Sequence, residues 1–224
     1  MSIKQNLNSI INILPKPVTL VAVSKTKPII DILEAYNAGQ LIFGENKIQE
    51  MVDKYEQLPK DIEWHMIGHV QRNKVKYMAH FVNLIHGVDN FKLLNEINKQ
   101  AEKHDRSIDC LLQIKIADEE SKFGMTLDEA KSILQSEEFS ELKHINIKGV
   151  MGMATFTEDK SQITQEFQNL KFIFEELKKL NTVNSNLEII SMGMSSDYQL
   201  AINCGSTMIR VGSSIFGNRN YSSH

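Results

Sequence analysis

The chain has 224 residues, of which 42% are hydrophobic and 24% are charged, and its formal net charge at pH 7 is −3. This length suffices for one full domain of the barrel or doubly wound type, and the interspersed charges form no basic face for nucleic acid. No stretch approaches the ~20 apolar residues of a membrane span, and the N-terminus lacks the apolar run of a signal peptide. Two distant cysteines, Cys110 and Cys204, form no CxxC pattern and predict reduced, buried thiols in a cytoplasmic protein.

The first strand is predicted within residues 18–28, VTLVAVSKTKP, where an apolar run bounded by prolines ends in a lysine. Alternate side chains of a strand share a face, so Lys25 continues the face of Val21 and Val23 at the rim of a core. Desolvation there and the neighbouring cation Lys27 both favour the free amine, which can attack a carbonyl group. Lys25 is therefore a candidate for Schiff-base formation, although this stretch alone also fits a strand-end lysine that reaches water.

Apolar strands and amphipathic helices alternate along the rest of the chain. Gly39 suits the end of the first helix after this strand, and the T-x-x-E pattern from Thr126 to Glu129 is a capping box that starts a later helix. Further strands are predicted at residues 41–43, 62–68, 81–89, 108–116, 145–154, 187–192 and 207–212. Helices are predicted at the N-terminus before the first strand and at residues 29–38, 48–58, 91–104, 162–180 and 197–204, with shorter ones before Ala79 and after Thr126.

Eight alternating units imply parallel strands joined by crossover helices, and eight is the number at which such a sheet closes into a barrel. We therefore predict an α/β protein in which residues 1–224 form a single-domain (β/α)₈ TIM barrel. An open doubly wound sheet is the alternative. It fits less well because no GxGxxG fingerprint follows the first strand.

Small residues cluster after the last two predicted strands, where barrels of this type commonly bind phosphate. The cluster after the seventh strand runs from Ser191 to Asp197, and Gly212 and Ser213 follow the eighth. Either cluster alone also fits an ordinary turn, but barrel closure would bring both near Lys25. Arg210 shares a strand face with Gly212 and would aim a guanidinium into the cavity, where a buried charge needs a partner.

Five separated motifs occur in the order VAVSKTKP, FGENKIQE, WHMIGHVQRNK, SMGMSSDYQLAI and GSTMIRVGSSIFGNR. They resemble the motifs of the pyridoxal 5'-phosphate (PLP) homeostasis proteins, a family similar to the barrel domain of alanine racemase, which is fold type III among PLP proteins. The resemblance covers nearly the whole chain. It implies that the cofactor is PLP and that the protein takes part in intracellular PLP (vitamin B6) homeostasis.

The resemblance also implies roles for single residues. Lys25 would form the internal aldimine, Arg210 would face the pyridine nitrogen, and Asn46 and His65 would line the ring pocket. The implied phosphate-binding segments contain Met194, Ser195, Gly212 and Ser213.

An arginine at the pyridine nitrogen favours the neutral ring, which is a weaker electron sink than a protonated one. Racemases of this type tolerate this arginine, but they resemble two-domain proteins whose second domain supplies a catalytic tyrosine. Here only SIFGNRNYSSH follows the eighth unit. We therefore expect a monomeric carrier or buffer of PLP without efficient catalysis, which contacts apo PLP-dependent enzymes transiently. No nucleic acid or membrane partner is expected.

Other functions stay open on the sequence alone: a racemase-like PLP enzyme, a class I aldolase-type Schiff-base barrel, or a non-catalytic interaction module. His65 and His69 resemble half a zinc site but lack the HExxH glutamate, so no metal is predicted. Lys122 is a second lysine expected at the same rim. Five methionines are expected to fill the barrel, namely Met151, Met153, Met192, Met194 and Met208.

Overall fold

The computed structural model describes residues 2–117, 123–180 and 182–217. Within these residues, eight parallel strands form a closed barrel in chain order, and each strand is followed by at least one helix. This architecture confirms the predicted (β/α)₈ barrel. The strands are Thr19–Val23 (β1), Ile42–Glu45 (β2), Glu63–Met66 (β3), Leu84–Val88 (β4), Ile108–Gln113 (β5), Ile145–Met151 (β6), Ser185–Ser191 (β7) and Met208–Val211 (β8).

The helices surround the barrel, and a 3₁₀ turn at Arg72–Lys74 precedes the fourth of them. Two helices, α7 and α10, are not predicted from the sequence, because four residues are too few to show a helical period. α4 is as short, but the 3₁₀ turn before it extends its helical stretch to residues 72–78. The helices are Ile3–Ile11 (α1), Ile29–Asn37 (α2), Ile48–Gln57 (α3), Val75–Met78 (α4), Phe91–Glu102 (α5), Leu127–Leu134 (α6), Glu137–Ser140 (α7), Lys160–Lys178 (α8), Tyr198–Asn203 (α9) and Ser213–Phe216 (α10).

Local capping signals set several helix ends. Thr126 and Glu129 form the predicted capping box at the start of α6, and Ser2 and Gln5 form a second one at the start of α1. Each box satisfies backbone N–H groups that a helix start leaves without intrahelical partners. Gly39 follows α2 with a φ of 101°, a left-handed conformation that glycine adopts without steric cost, as predicted for this position.

The barrel closes by pairing its first and last strands. In this pairing Thr19 lies opposite Met208, and Val21 lies opposite Arg210. The closure places the loop after β1 beside the loop after β8. The prediction that the eighth strand lies beside the first is therefore confirmed.

Alternation along β1 separates two apolar clusters. Val21 belongs to a small cluster inside the barrel, whereas Leu20 and Ala22 belong to the larger core between sheet and helices. Met151 and Met208 lie in the inner cluster, as predicted. Met153 packs partly buried against that cluster, Met192 lies in the outer core, and Met194 lines the cavity described below, so the filling prediction holds for only part of the set.

α1 packs against α2 and α10, and Asn6 Nδ2 donates a 2.9 Å hydrogen bond to the carbonyl oxygen of Ile215. Cys110 and Cys204 are both buried and free, as predicted. None of the helices in the described residues combines the length and apolarity needed to cross a bilayer.

Candidate functional site

The loops at the C-terminal ends of the strands surround a cavity of about 770 Å³, within the roughly 300–1,000 Å³ typical of small-molecule sites. Its wall brings together seven of the eight residues predicted to bind the cofactor. His65 is not among the lining side chains. The seven are Lys25, Asn46, Met194, Ser195, Arg210, Gly212 and Ser213.

Lys25 lies two residues beyond the end of β1 and lines this cavity. Its predicted neighbouring cation, Lys27, also lines the cavity. Lys27 Nζ donates hydrogen bonds of 2.9 and 3.2 Å to the carbonyl oxygens of Phe216 and Gly217. The loop after β1 is thereby joined to the end of α10, on the other side of the barrel closure.

The part of the cavity wall next to the β1 loop is built by the turns after β7 and β8. The Gly212 N–H donates to Ser195 Oγ at 3.2 Å, and the Arg210 N–H donates to the Gly193 carbonyl at 2.9 Å. Gly193 has a φ of 97°, and a Cβ there would lie 2.6 Å from another side chain, so this turn requires glycine. The Ser195 hydroxyl, which accepts from Gly212, can still donate its own hydrogen, and Ser213 also lines this wall, so the turns offer hydroxyl groups to an anion.

Arg210 lines the cavity with a side chain that is 4% exposed. Its Nη1 donates to Ser191 Oγ at 2.6 Å, and its Nη2 donates to the Gly152 carbonyl at 3.1 Å. Burial lowers the pKa of Arg210 to about 10, and the nearby Asp197 opposes this shift. The guanidinium is therefore still cationic at neutral pH and is held in place by neutral acceptors.

Two histidines extend this contact into the barrel. His86 Nδ1 lies 3.0 Å from Ser191 Oγ, and His86 Nε2 lies 3.1 Å from His65 Nδ1. Ser191 Oγ accepts from Arg210, so its own hydrogen is available for His86 Nδ1. We therefore assign Ser191 as the donor to His86 Nδ1, and the His86 Nε2–H as the donor to His65 Nδ1. Burial lowers the pKa of His65 to about 3, and burial also lowers that of His86 well below its ordinary value, so both rings are neutral.

His86 and Ser191 are members of this chain of hydrogen bonds that sequence reasoning does not identify as a group. His86 lies in the fully buried strand β4, and its partner Ser191 is 105 residues away at the end of β7. The one local signal is a histidine inside an apolar strand, which must find a polar partner. His65, expected to line the ring pocket, is not among the lining residues and is linked to the cavity wall by hydrogen bonds through His86, Ser191 and Arg210.

A second buried cluster lies where β2 meets α3. Lys54 Nζ is 2.8 Å from Glu45 Oε1 and 2.7 Å from Glu50 Oε1. Burial raises the pKa of Glu45 to about 7, whereas Lys54 and a 2.6 Å hydrogen bond from Ser24 Oγ oppose that shift. Glu45 Oε2 has no hydrogen-bond partner among the described residues. Sequence reasoning does not single out this cluster either.

The remaining candidates lie apart from the cavity or outside the described residues. His69, the second histidine of the pair that resembles half a zinc site, stacks on Phe123 with ring centroids 4.3 Å apart. Its Nδ1 is 3.6 Å from Asp89 Oδ2. In residues 2–117, 123–180 and 182–217, no three His, Cys, Asp or Glu side chains are grouped as metal ligands. Lys122 lies outside the described residues.

The sequence and fold of this chain match known proteins over nearly its full length. The family described as alanine racemase, N-terminal domain, matches residues 1–220. A relative called pyridoxal phosphate homeostasis protein, from Pasteurella multocida, is 37% identical, and the match covers 98% of this chain and 96% of that protein. PipY of Synechococcus elongatus, solved with PLP bound, is 34% identical with a TM-score of 0.88, covering 96% of this chain and 100% of PipY.

Alanine racemase of Clostridium difficile shares the fold at 15% identity, with a TM-score of 0.77 over 99% of this chain and 57% of the racemase. The homeostasis protein of Pasteurella multocida and PipY are 37% and 34% identical to this chain over almost its entire length, well above the 15% identity of the racemase. The chain therefore belongs to the alanine racemase N-terminal domain family and, within it, to the pyridoxal phosphate homeostasis proteins.

Proposed function

We propose that this protein binds PLP in the cavity at the C-terminal ends of the strands, and that it holds PLP through Lys25 as part of intracellular PLP homeostasis. The observation that carries the proposal is that Lys25, the Ser195–Gly212 wall and Arg210 line one cavity. An amine, an anion-binding wall and a buried cation match the aldehyde, the phosphate and the ring nitrogen of PLP. PipY, whose chain is 34% identical, has been solved with PLP bound, which supports PLP as the ligand.

The cavity fits PLP in size and in chemistry. Ser195 and Ser213 would hold the phosphate by their hydroxyl groups, without a lysine, and the Gly212 N–H would keep the Ser195 hydroxyl in place. Asn46, from the loop after β2, would contact the ring from the side. Arg210 is cationic at neutral pH, so it can only donate towards the ring nitrogen and keeps that nitrogen unprotonated.

Lys25 is the proposed covalent attachment point. Its unprotonated amine would bond the aldehyde carbon of PLP as a C=N group, with loss of one water. When bound, PLP supplies an electrophilic carbon conjugated to an electron-accepting ring. Because Arg210 leaves the ring nitrogen neutral, this sink is weak, which favours storage over chemistry on amino acids.

The proposed role is therefore that of a cytoplasmic carrier that buffers PLP or delivers it to apo PLP-dependent enzymes. A monomer that meets acceptors transiently suits this role, because the cofactor must leave as well as bind.

An absorbance spectrum of the purified protein, followed by borohydride reduction and peptide mapping, tests the proposal. We expect a yellow protein whose reduced label maps to Lys25, loss of the colour in Lys25→Ala, and wild-type behaviour in Lys131→Ala on α6. A label on another lysine would contradict the assignment. Steady racemisation or transamination of common amino acids at ordinary enzyme rates would replace the carrier with a racemase-like enzyme.

A further inference from the structure

Three charged residues, Glu45, Glu50 and Lys54, form the buried cluster between β2 and α3, here called the Glu45–Glu50–Lys54 clamp. Glu45 is fully buried and Lys54 is 5% exposed. Lys54 Nζ bonds both carboxylates, at 2.8 and 2.7 Å. Burying the charges of Glu45 and Lys54 is costly, and an apolar replacement of such a pair is often neutral or stabilising, so fold stability alone does not explain the cluster.

The clamp holds the backbone on both sides of Lys25. On the N-terminal side, Lys54 Nζ donates a 2.8 Å hydrogen bond to the carbonyl oxygen of Ser24. The Ser24 hydroxyl donates a 2.6 Å hydrogen bond to Glu45 Oε1. On the C-terminal side, the Thr26 N–H donates to Glu50 Oε1 at 2.5 Å. Lys25 is thus the residue between two backbone groups that one cluster fixes.

The hydrogen bond from the Thr26 N–H to Glu50 holds an unfavourable backbone conformation. Thr26 has a φ of 64°, a left-handed conformation that β-branched residues adopt rarely. Such a conformation persists only where surrounding contacts over-determine it, and such sites cluster where a side chain must be aimed. The hydrogen bond from the Thr26 N–H to Glu50 is a contact of this kind, and it sets the direction of the chain immediately after Lys25.

We propose that Glu45, Glu50 and Lys54 are positioning residues that aim the Lys25 amine at the aldehyde carbon of PLP. The inference rests on the proposed function, since it concerns the same amine. The clamp does not line the cavity, so its loss should leave the phosphate-binding wall intact. Its removal is therefore expected to slow bond formation by Lys25 while non-covalent binding of the phosphate and ring persists.

Two ligands separate these effects. Pyridoxine 5'-phosphate carries the ring and the phosphate but no aldehyde, so its affinity reports the cavity alone, whereas the rate of C=N formation with PLP reports the aim of Lys25. In Lys54→Met and Glu50→Ala we expect that rate to fall by at least about tenfold. We expect the pyridoxine 5'-phosphate affinity to change by less than about threefold.

Glu50→Ala, whose side chain is 25% exposed, keeps the test available if Lys54→Met does not fold. Glu50→Gln, which retains an acceptor for the Thr26 N–H, is expected to recover part of the rate. Lys131→Met is the matched control, because Lys131 also bonds a helix glutamate, Glu176 at 3.2 Å, away from the cavity.

The outcomes are distinguishable. If wild-type protein binds neither ligand, or forms its bond at another residue, the proposed function fails. If the wild type reacts at Lys25 and the clamp variants react at the same rate, the clamp inference alone fails. An equal loss of rate and of pyridoxine 5'-phosphate affinity would also overturn it, because the clamp would then merely support the fold.

Discussion

Arg210 donates a 2.6 Å hydrogen bond to the hydroxyl of Ser191, and both side chains are buried inside the barrel. Ser191 in turn contacts His86 at 3.0 Å. The orientation of a cation that lines the cavity therefore depends on a hydroxyl group that does not line it. That dependence can be tested without any ligand.

Replacing Ser191 with alanine should lower the free energy of unfolding even in the absence of a ligand. The change leaves a guanidinium N–H of Arg210 and Nδ1 of His86 without their shared partner, and a buried unsatisfied polar group costs about 1–3 kcal/mol. We expect the free energy of unfolding of the apoprotein, measured by urea titration, to fall by about 2–3 kcal/mol. Ser132→Ala, at an exposed position on α6, is the control, and equal stability of the two variants would refute the prediction.

The two barrel histidines should resist protonation. Burial lowers the pKa of His65 to about 3 and that of His86 well below its ordinary value, so the native protein binds fewer protons than the unfolded chain below about pH 6.5. These residues therefore contribute stability that is present above pH 6.5 and is lost as the pH falls from there. Imidazole NMR should show both rings neutral from pH 8 to about pH 5, with ordinary titration in urea. Titration of either ring near pH 6.5 in the folded protein would disprove this.

Glu45 should give stability the opposite dependence on pH. Burial raises its pKa from 4.5 to about 7, so between these values the native state holds a proton that the unfolded chain releases. Stability should therefore fall as the pH rises from about 4.5 to about 7. Glu45→Gln removes this group, so we expect the variant to lose less stability than wild type between pH 5 and pH 8, by about 1–3 kcal/mol. Parallel urea titrations measure the difference, and identical pH profiles would contradict it.

The sequence predicts the barrel well because its determinants are local and repeated. Strand and helix periods, the capping box at Thr126 and the glycine at Gly39 each depend on a few neighbouring residues. Eight such units then leave few ways to bury both faces of the strands. The one-turn helices α7 and α10 lie below the length at which a period can be recognised.

The site is predictable only in part, for a physical reason. Strand ends and barrel closure predict that Lys25, Arg210 and Gly212 line one cavity, as the structure shows. Side-chain contacts between distant strands follow from no local pattern. The contact of His86 with Ser191 spans 105 residues, and the i, i+4 spacing of Glu50 and Lys54 suits a solvated helix face as well as a buried pair.

Gly193 should be needed for phosphate recognition, and a second glycine provides the control. Both Gly193 and Gly39 have positive φ, 97° and 101°, so alanine at either costs about 1–2 kcal/mol of backbone strain. At Gly39 an added Cβ meets nothing within 4 Å, whereas at Gly193 it would lie 2.6 Å from Ala201 Cβ and 2.9 Å from Tyr198 Cα.

Only Gly193→Ala therefore displaces the turn that carries Met194 and Ser195. We expect Gly193→Ala to weaken PLP binding by about tenfold or more while affinity for pyridoxal, which has no phosphate, changes little. Gly39→Ala should lose stability alone. Absorbance titrations with the two ligands measure this, and the prediction is wrong if Gly193→Ala binds PLP as tightly as Gly39→Ala does.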